Sequence, residues 1–418
     1  MDHFQYRDGA LFAEDVSVSD IASQFGTPCF IYSKATLIRH LHAYVDSLAG
    51  IPHLICYGMK ANSNLAVLQI LAKDGAGFDI VSIGELERVI KAGGDPAKVV
   101  FSGVGKQDFE LRRALEVGIH CFNVESLAEL EHLNAIAMKM GKVAPVSLRI
   151  NPDVDPKTHP YISTGLKANK FGIAHRDAIA AYRLTSELPG LSPVGIDCHI
   201  GSQITDVSPL IESLDKLLSL IDQLTAIGIQ LKHIDLGGGL GVTYDQETPP
   251  HPSEYLALVK KRLAGRDLTL VLEPGRSIAA NAGIFVTKTI LTKTNQDQHF
   301  AIVDGAMNDL IRPSLYGAWQ NIIPVDTTEK PYQIEASFDI VGPVCESGDF
   351  LGKARRLRIQ EGDLLAVRSA GAYGFVMGSN YNTRGRAPEI LVDKDQVHLI
   401  RERETIDSLW ALEHTVDD

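Results

Sequence analysis

Lys60 closes the apolar run Leu54-Ile55-Cys56-Tyr57-Gly58-Met59 and opens the polar turn Ala61-Asn62-Ser63-Asn64. A lysine at the carboxyl end of a buried strand sits at the mouth of an α/β sheet, where such folds place their chemistry. Desolvation favours the neutral amine, which can attack a carbonyl. Other reactive types occupy the same kind of position. Glu273 closes the run Leu268–Leu272 and opens Glu273-Pro274-Gly275-Arg276. A carboxylate so placed needs a partner, either Arg276 three residues on or a protonated ring. His199 stands before Gly201, Ser202 and Gln203, which places its imidazole at the edge of a pocket. Gly237, Gly238 and Gly239 follow Asp235-Leu236. Without Cβ atoms such a turn can close on a ligand and aim N–H groups at an anion.

The elements that must position these residues follow from the pattern of apolar runs. Between residues 28 and 280, eight β-rich runs alternate with helical stretches. The expected strands are His53–Tyr57, Phe78–Ser82, Val99–Ser102, His120–Val124, Val146–Ile150, Gly195–His199, His233–Leu236 and Leu268–Leu272. Strands separated by helices imply parallel pairing through right-handed crossovers. Eight units of this kind predict an α/β fold, a (β/α)8 TIM-like barrel over 28–280. The glycine turn and Gly275-Arg276 then follow strands seven and eight, where barrels commonly bind phosphate. Residues 281–418 are richer in short strands and turns, predicting a mostly antiparallel β domain. Residues 1–27 are expected to add a strand to it.

Composition excludes several classes. The chain has 418 residues and a formal charge of -12, which disfavours nucleic acid as a main partner. Its longest apolar runs are too short to span a membrane. Met1–Asp8 carries no basic region followed by an apolar one, so no secretory leader is expected there. The five cysteines (Cys29, Cys56, Cys121, Cys198 and Cys345) form no C-x-x-C pair, which argues against a disulfide framework or a zinc site and suits the cytoplasm. No metal site is expected.

An amine for a Schiff base, a phosphate cup, a buried carboxylate for a ring nitrogen and a flat ring for stacking together describe a pyridoxal 5'-phosphate site. The chain resembles the fold-type III pyridoxal-phosphate decarboxylases, and within them the diaminopimelate decarboxylases. The resemblance covers nearly the whole chain. It rests on Tyr57–Asn62, Phe78-Asp79, His199–Gln203, Gly237–Gly239, Glu273–Arg276, Asp304–Pro313, Cys345–Asp349 and Gly371–Gly374. Gly58, where alanine is usual, and Arg386-Ala387-Pro388-Glu389 depart from the pattern without touching a reacting group.

What the resemblance implies is specific. Lys60 would carry the cofactor, and Glu273 would keep its ring nitrogen protonated. His199 would stack on the ring, with Asp79 nearby. Ser202, Gly237, Gly238, Gly239, Gly275, Arg276 and Tyr373 would hold the phosphate. Cys345 would return a proton to the substrate carbon after CO2 leaves, acting in the partner's site of a homodimer. Arg276, Arg312, Tyr316 and Tyr373 would receive the distal end of the substrate, and Glu346 its ammonium. The implied reaction is decarboxylation of meso-2,6-diaminopimelate to L-lysine and CO2. The alternative is a decarboxylase of ornithine, arginine or carboxynorspermidine. Asp79, Glu85 and Asn151 lie near the expected mouth, without an assigned chemical role.

Overall fold

The computed structural model describes residues 2–155 and 170–416. All eight expected strands are present, as His53–Gly58, Gly77–Ile80, Val99–Phe101, Cys121–Val124, Ala144–Asn151, Leu191–Asp197, His233–Asp235 and Thr269–Leu272. Each pairs in parallel with the next, and Thr269–Leu272 pairs back with His53–Gly58 to close the ring. A two-residue strand, Ile173–Ala174, lies alongside the end of Ala144–Asn151.

The period of two along each strand sorts side chains between the inside of the ring and the surrounding helices. Phe78 faces outward, against Val89 of the helix Ile83–Lys91, where Gly94 leaves room for both. Tyr57, Phe101, Phe122, Leu148 and Ile234 alternate in the same way and are fully buried. Burying each such side chain contributes about 1.5–3 kcal/mol. Local signals start the helices: Asn64, Ser82 and Ser126 accept from the backbone amides of Ala66, Glu85 and Glu129. At the lower end of the ring Cys56, Val100, Cys121 and Val271 meet as a small apolar layer.

The chain divides into two compact units. The barrel unit comprises 38–243 and 247–278; the β unit comprises 1–37, 244–246 and 279–418. The β unit is built on a mixed but mostly antiparallel sheet. Gly283–Asn295 pairs antiparallel with Cys29–Ser33, Gln298–Val303 and Leu364–Val367. Ile334–Val341 pairs antiparallel with Phe350–Ile359 and parallel with Gln298–Val303. Glu389–Asp393 runs parallel to Cys29–Ser33 and antiparallel to Gln396–Arg401.

One placement differs from the sequence reading. Cys29–Ser33, inside the expected barrel bounds of 28–280, is a strand of this sheet. Every residue of Cys29–Ser33 is buried, as a strand enclosed on both faces requires. The earlier residues form a small sheet of their own, Phe4–Arg7, Ala10–Ala13 and Val16–Ser17, joined to the β unit by a bridge from Ala10 to Asp326. Phe4 and Leu11 pack with Cys29, Ile31, Ile284 and Ile390 in one core.

Candidate active site

The carboxyl ends of the barrel strands gather the first group of predicted residues. Lys60 lies in the 3₁₀ turn Met59–Ala61, directly after the first strand. Its Nζ is 3.1 Å from Oδ2 of Asp79 on the second strand, whose side chain is fully enclosed. Glu273 follows the eighth strand, which pairs with the first, so the amine and the carboxyl rise from neighbouring strand ends. Asn123 on the fourth strand donates to Glu273 Oε1 at 3.1 Å and to Ser102 Oγ at 3.2 Å. Arg276 opens a short helix, and its Nε and Nη2 donate to Ser202 Oγ at 3.2 and 2.9 Å. A hydroxyl and a guanidinium held together in this way suit a phosphate.

The glycine turn has a tighter role than the sequence suggested. A Cβ on Gly238 would stand 2.3 Å from the Glu273 carbonyl oxygen, and Gly237 and Gly239 hold positive φ angles of 62° and 105°. Glycine is therefore required for the seventh and eighth strand ends to close on each other. The Gly237 amide donates to Asp235 Oδ1 at 2.8 Å, and the Gly238 amide to Nδ1 of His199 at 3.2 Å. Two of the three amides expected to face an anion are thus engaged within the chain. The His199 ring gains a fixed orientation from the second bond. Its pKa falls well below the ordinary histidine value, through burial first and then the nearby Lys60 and Arg149 charges. The ring is neutral, with its proton on Nε2.

The interior is rich in carboxyl groups. Asp79, Glu125, Asp197, Asp235 and Glu273 are all buried. Arg149 on the fifth strand answers part of this, with Nη1 3.0 Å from Glu125 and Nε 4.0 Å from Asp197. Burial, then the charges of Asp235, Asp79 and Asp197, raises the Glu273 pKa well above its ordinary value. Asp197 is raised by burial and by Asp235, while burial pushes Asp235 up to about 7. Oδ1 of Asp79, Oδ1 of Asp197 and Oδ2 of Asp235 have no hydrogen-bond partner among the described residues. An excess of buried acceptors beside one lysine fits a group that brings positive charge and N–H donors. Pyridoxal phosphate does so through a protonated ring and a protonated Schiff-base nitrogen. The residues present fit it.

The remaining predicted residues belong to the β unit. Arg312 opens the short helix Arg312–Tyr316, is 7% exposed, and places its guanidinium carbon 4.4 Å over the ring of Tyr244. Ser314 of that helix donates to the Gly348 carbonyl at 2.6 Å, tying it to the loop of Cys345 and Glu346. Asp349 braces the loop by accepting from the amides of Met307 and Val344, both at 2.7 Å. The Cys345 amide donates to Asn382 Oδ1 at 3.3 Å, while Cys345 and Glu346 are themselves exposed. Tyr373 is half-buried and adopts φ 55°, the left-handed region, in a turn after Gly371.

Sequence reasoning missed Asn123, Glu125, Arg149 and Asp197. Their signal was present: each interrupts or ends an apolar run at a position where a residue two away also points inward. Glu85, unassigned from sequence, accepts from the Val81 amide at 2.5 Å, and its pKa rises to about 7 through burial, opposed by that bond and reinforced by Asp79.

The comparisons with known proteins agree with this geometry. A family model described as "Pyridoxal-dependent decarboxylase, pyridoxal binding domain" matches residues 34–280, so the barrel is that of a pyridoxal-dependent decarboxylase. The chain is 60% identical to the diaminopimelate decarboxylase of Vibrio cholerae, covering 100% of both chains. It is also 60% identical to that of Pseudomonas aeruginosa, covering 98% of each. The crystal structure of diaminopimelate decarboxylase from Helicobacter pylori complexed with L-lysine superposes with a TM-score of 0.91 at 42% identity, covering 94% of this chain and 98% of that one. The chain belongs to the diaminopimelate decarboxylase family.

Proposed function

We propose that this enzyme removes CO2 from meso-2,6-diaminopimelate to give L-lysine, with pyridoxal 5'-phosphate as cofactor. The observation that carries the reading is the rise of Lys60 and Glu273 from paired strand ends, with Asp79 and Asn123 holding them. The names of the relatives supply the substrate.

Pyridoxal phosphate, when bound, supplies an electron sink for the pair left on the substrate carbon as CO2 departs. The chain's own groups do the rest. Lys60 would hold the cofactor through its amine, beside Asp79. Glu273 would accept from the ring N–H and so hold a proton at that nitrogen, and Asn123 orients the carboxyl. His199, held by the Gly238 amide, would stack on the ring without adding charge. Ser202 and Arg276 would grip the phosphate, with Gly239 and Gly275 beside them, and Tyr373 would serve the site of a second copy, as Cys345 and Glu346 would. Arg312 and Tyr316 receive the distal carboxylate, which a guanidinium matches bidentately. Glu346 receives the distal ammonium, and Cys345 delivers a proton to the carbon.

Cys345 and Glu346 are exposed in the single chain and sit on a braced loop, which supports their service to a second copy. The working form is then a cytoplasmic homodimer with shared sites. The test is a product assay of the cofactor-loaded protein with meso-diaminopimelate, ornithine, arginine and lysine. Lysine and CO2 from diaminopimelate alone are expected. CO2 from ornithine or arginine instead would overturn the assignment of Arg312 and Tyr316.

A further inference from the structure

At the amino-terminal end of the barrel strands, opposite the end that carries Lys60, three soft donors converge. His120 directly precedes the fourth strand, Cys121 begins it and His233 begins the seventh. One ligand atom from each lies within 4.8 Å of the other two. Cys121 Sγ is 3.9 Å from His233 Nε2, and the two imidazole rings are 5.2 Å apart. Nε2 of His120 is buried with no hydrogen-bond partner among the described residues. A buried imidazole nitrogen with no partner beside a thiol and a second imidazole is a candidate metal ligand. Gly195 makes the space: a Cβ there would stand 1.9 Å from His233 Nε2. The spacing concealed this group, because more than a hundred residues separate Cys121 from His233.

We propose that His120, Cys121 and His233 form a three-coordinate site for one Cu(I) ion. A thiolate selects Cu(I) or zinc, and imidazole suits both. The charge balance decides between candidates. Cu(I) with one thiolate is neutral, which suits a pocket walled by Leu54, Cys56, Val100, Val194 and Val271. Zn(II) would leave a net positive charge and require a fourth ligand. On binding, the S–H bond of Cys121 breaks, a Cu–S bond forms and one proton passes to solvent; copper stays monovalent. The thiol's donation to Asn123 Oδ1, 3.5 Å away, is lost with that proton. The ion would brace strands four and seven across the ring.

The test uses the full-length, cofactor-loaded protein under anaerobic conditions, with Cu(I) offered in competition with a chromophoric Cu(I) chelator. One equivalent per chain should be withheld from the chelator. Cys121→Ser, which keeps the shape, and His120→Gln, at the partly exposed edge, should each weaken retention at least about tenfold, with circular dichroism confirming that both fold. Equal retention by the variants overturns the site, as does no retention by the parent protein. Retention lost only in Cys345→Ser would place the metal on the exposed thiol instead. Preferential retention of Zn(II) in a parallel competition would overturn the monovalent assignment.

Discussion

Asn123 spans the barrel interior from the fourth strand to Glu273 at the end of the eighth, donating at 3.1 Å. The bond fixes which carboxyl oxygen is left for a ligand. Replacing Asn123 with alanine removes the donor and leaves a buried acceptor unanswered, a cost of about 1–3 kcal/mol. Asn123→Ala should therefore bind pyridoxal phosphate roughly 10- to 100-fold more weakly, read from cofactor absorbance on dilution. Unchanged affinity and an unchanged spectrum would show that Glu273 is oriented by other means.

Arg312 is the cation on which the substrate assignment turns. Truncation to alanine should lower kcat/KM for diaminopimelate by a factor corresponding to roughly 2–5 kcal/mol, tens- to thousands-fold. Cofactor binding should stay close to that of the parent. Parent-like efficiency in this variant would remove Arg312 from substrate recognition.

The proposed sharing of sites between two copies makes a distinct prediction about mixtures. Lys60→Ala and Cys345→Ala proteins should each be inactive alone. After subunit exchange, hybrid dimers would pair an intact Lys60 with an intact Cys345 in one of their two sites. Some activity should return in the mixture. Proven exchange with no recovery would mean that both residues act within one chain.

Glu85 gives the barrel mouth a pH dependence of its own. Its folded pKa, about 7, lies above the ordinary carboxylate value because burial disfavours the charge. A group raised on folding contributes its full stability below the unfolded pKa and loses it as pH rises through the folded one. The cofactor-free protein should therefore lose thermal stability between about pH 4.5 and 7 through this group. Glu85→Gln should flatten that part of the profile, measured by Tm against pH. An identical slope in the variant would assign the dependence elsewhere.

The parts of this architecture that repeat locally were legible from the sequence. Each barrel strand announces itself by a short apolar run, and Ser82 and Ser126 mark helix starts by side-chain chemistry alone. What stayed hidden depends on contacts between distant strands. Asn123 and Arg149 read as polar interruptions until the ring closes and turns them inward. Cys29–Ser33 lies next to the barrel in sequence, yet it pairs with Gly283–Asn295. Long-range pairing of that kind leaves no local trace. The glycine turn was recognised as a close approach, but the partners of its amides, Asp235 and His199, could be named only from the folded backbone.

The last strand of the ring to be made, Thr269–Leu272, closes against the first, His53–Gly58. A growing chain therefore displays Lys60 long before Glu273 exists, and the two meet only when the whole barrel has been synthesised. A barrel cut short before its eighth strand therefore carries Lys60 but has neither Glu273 nor Arg276 to set beside it.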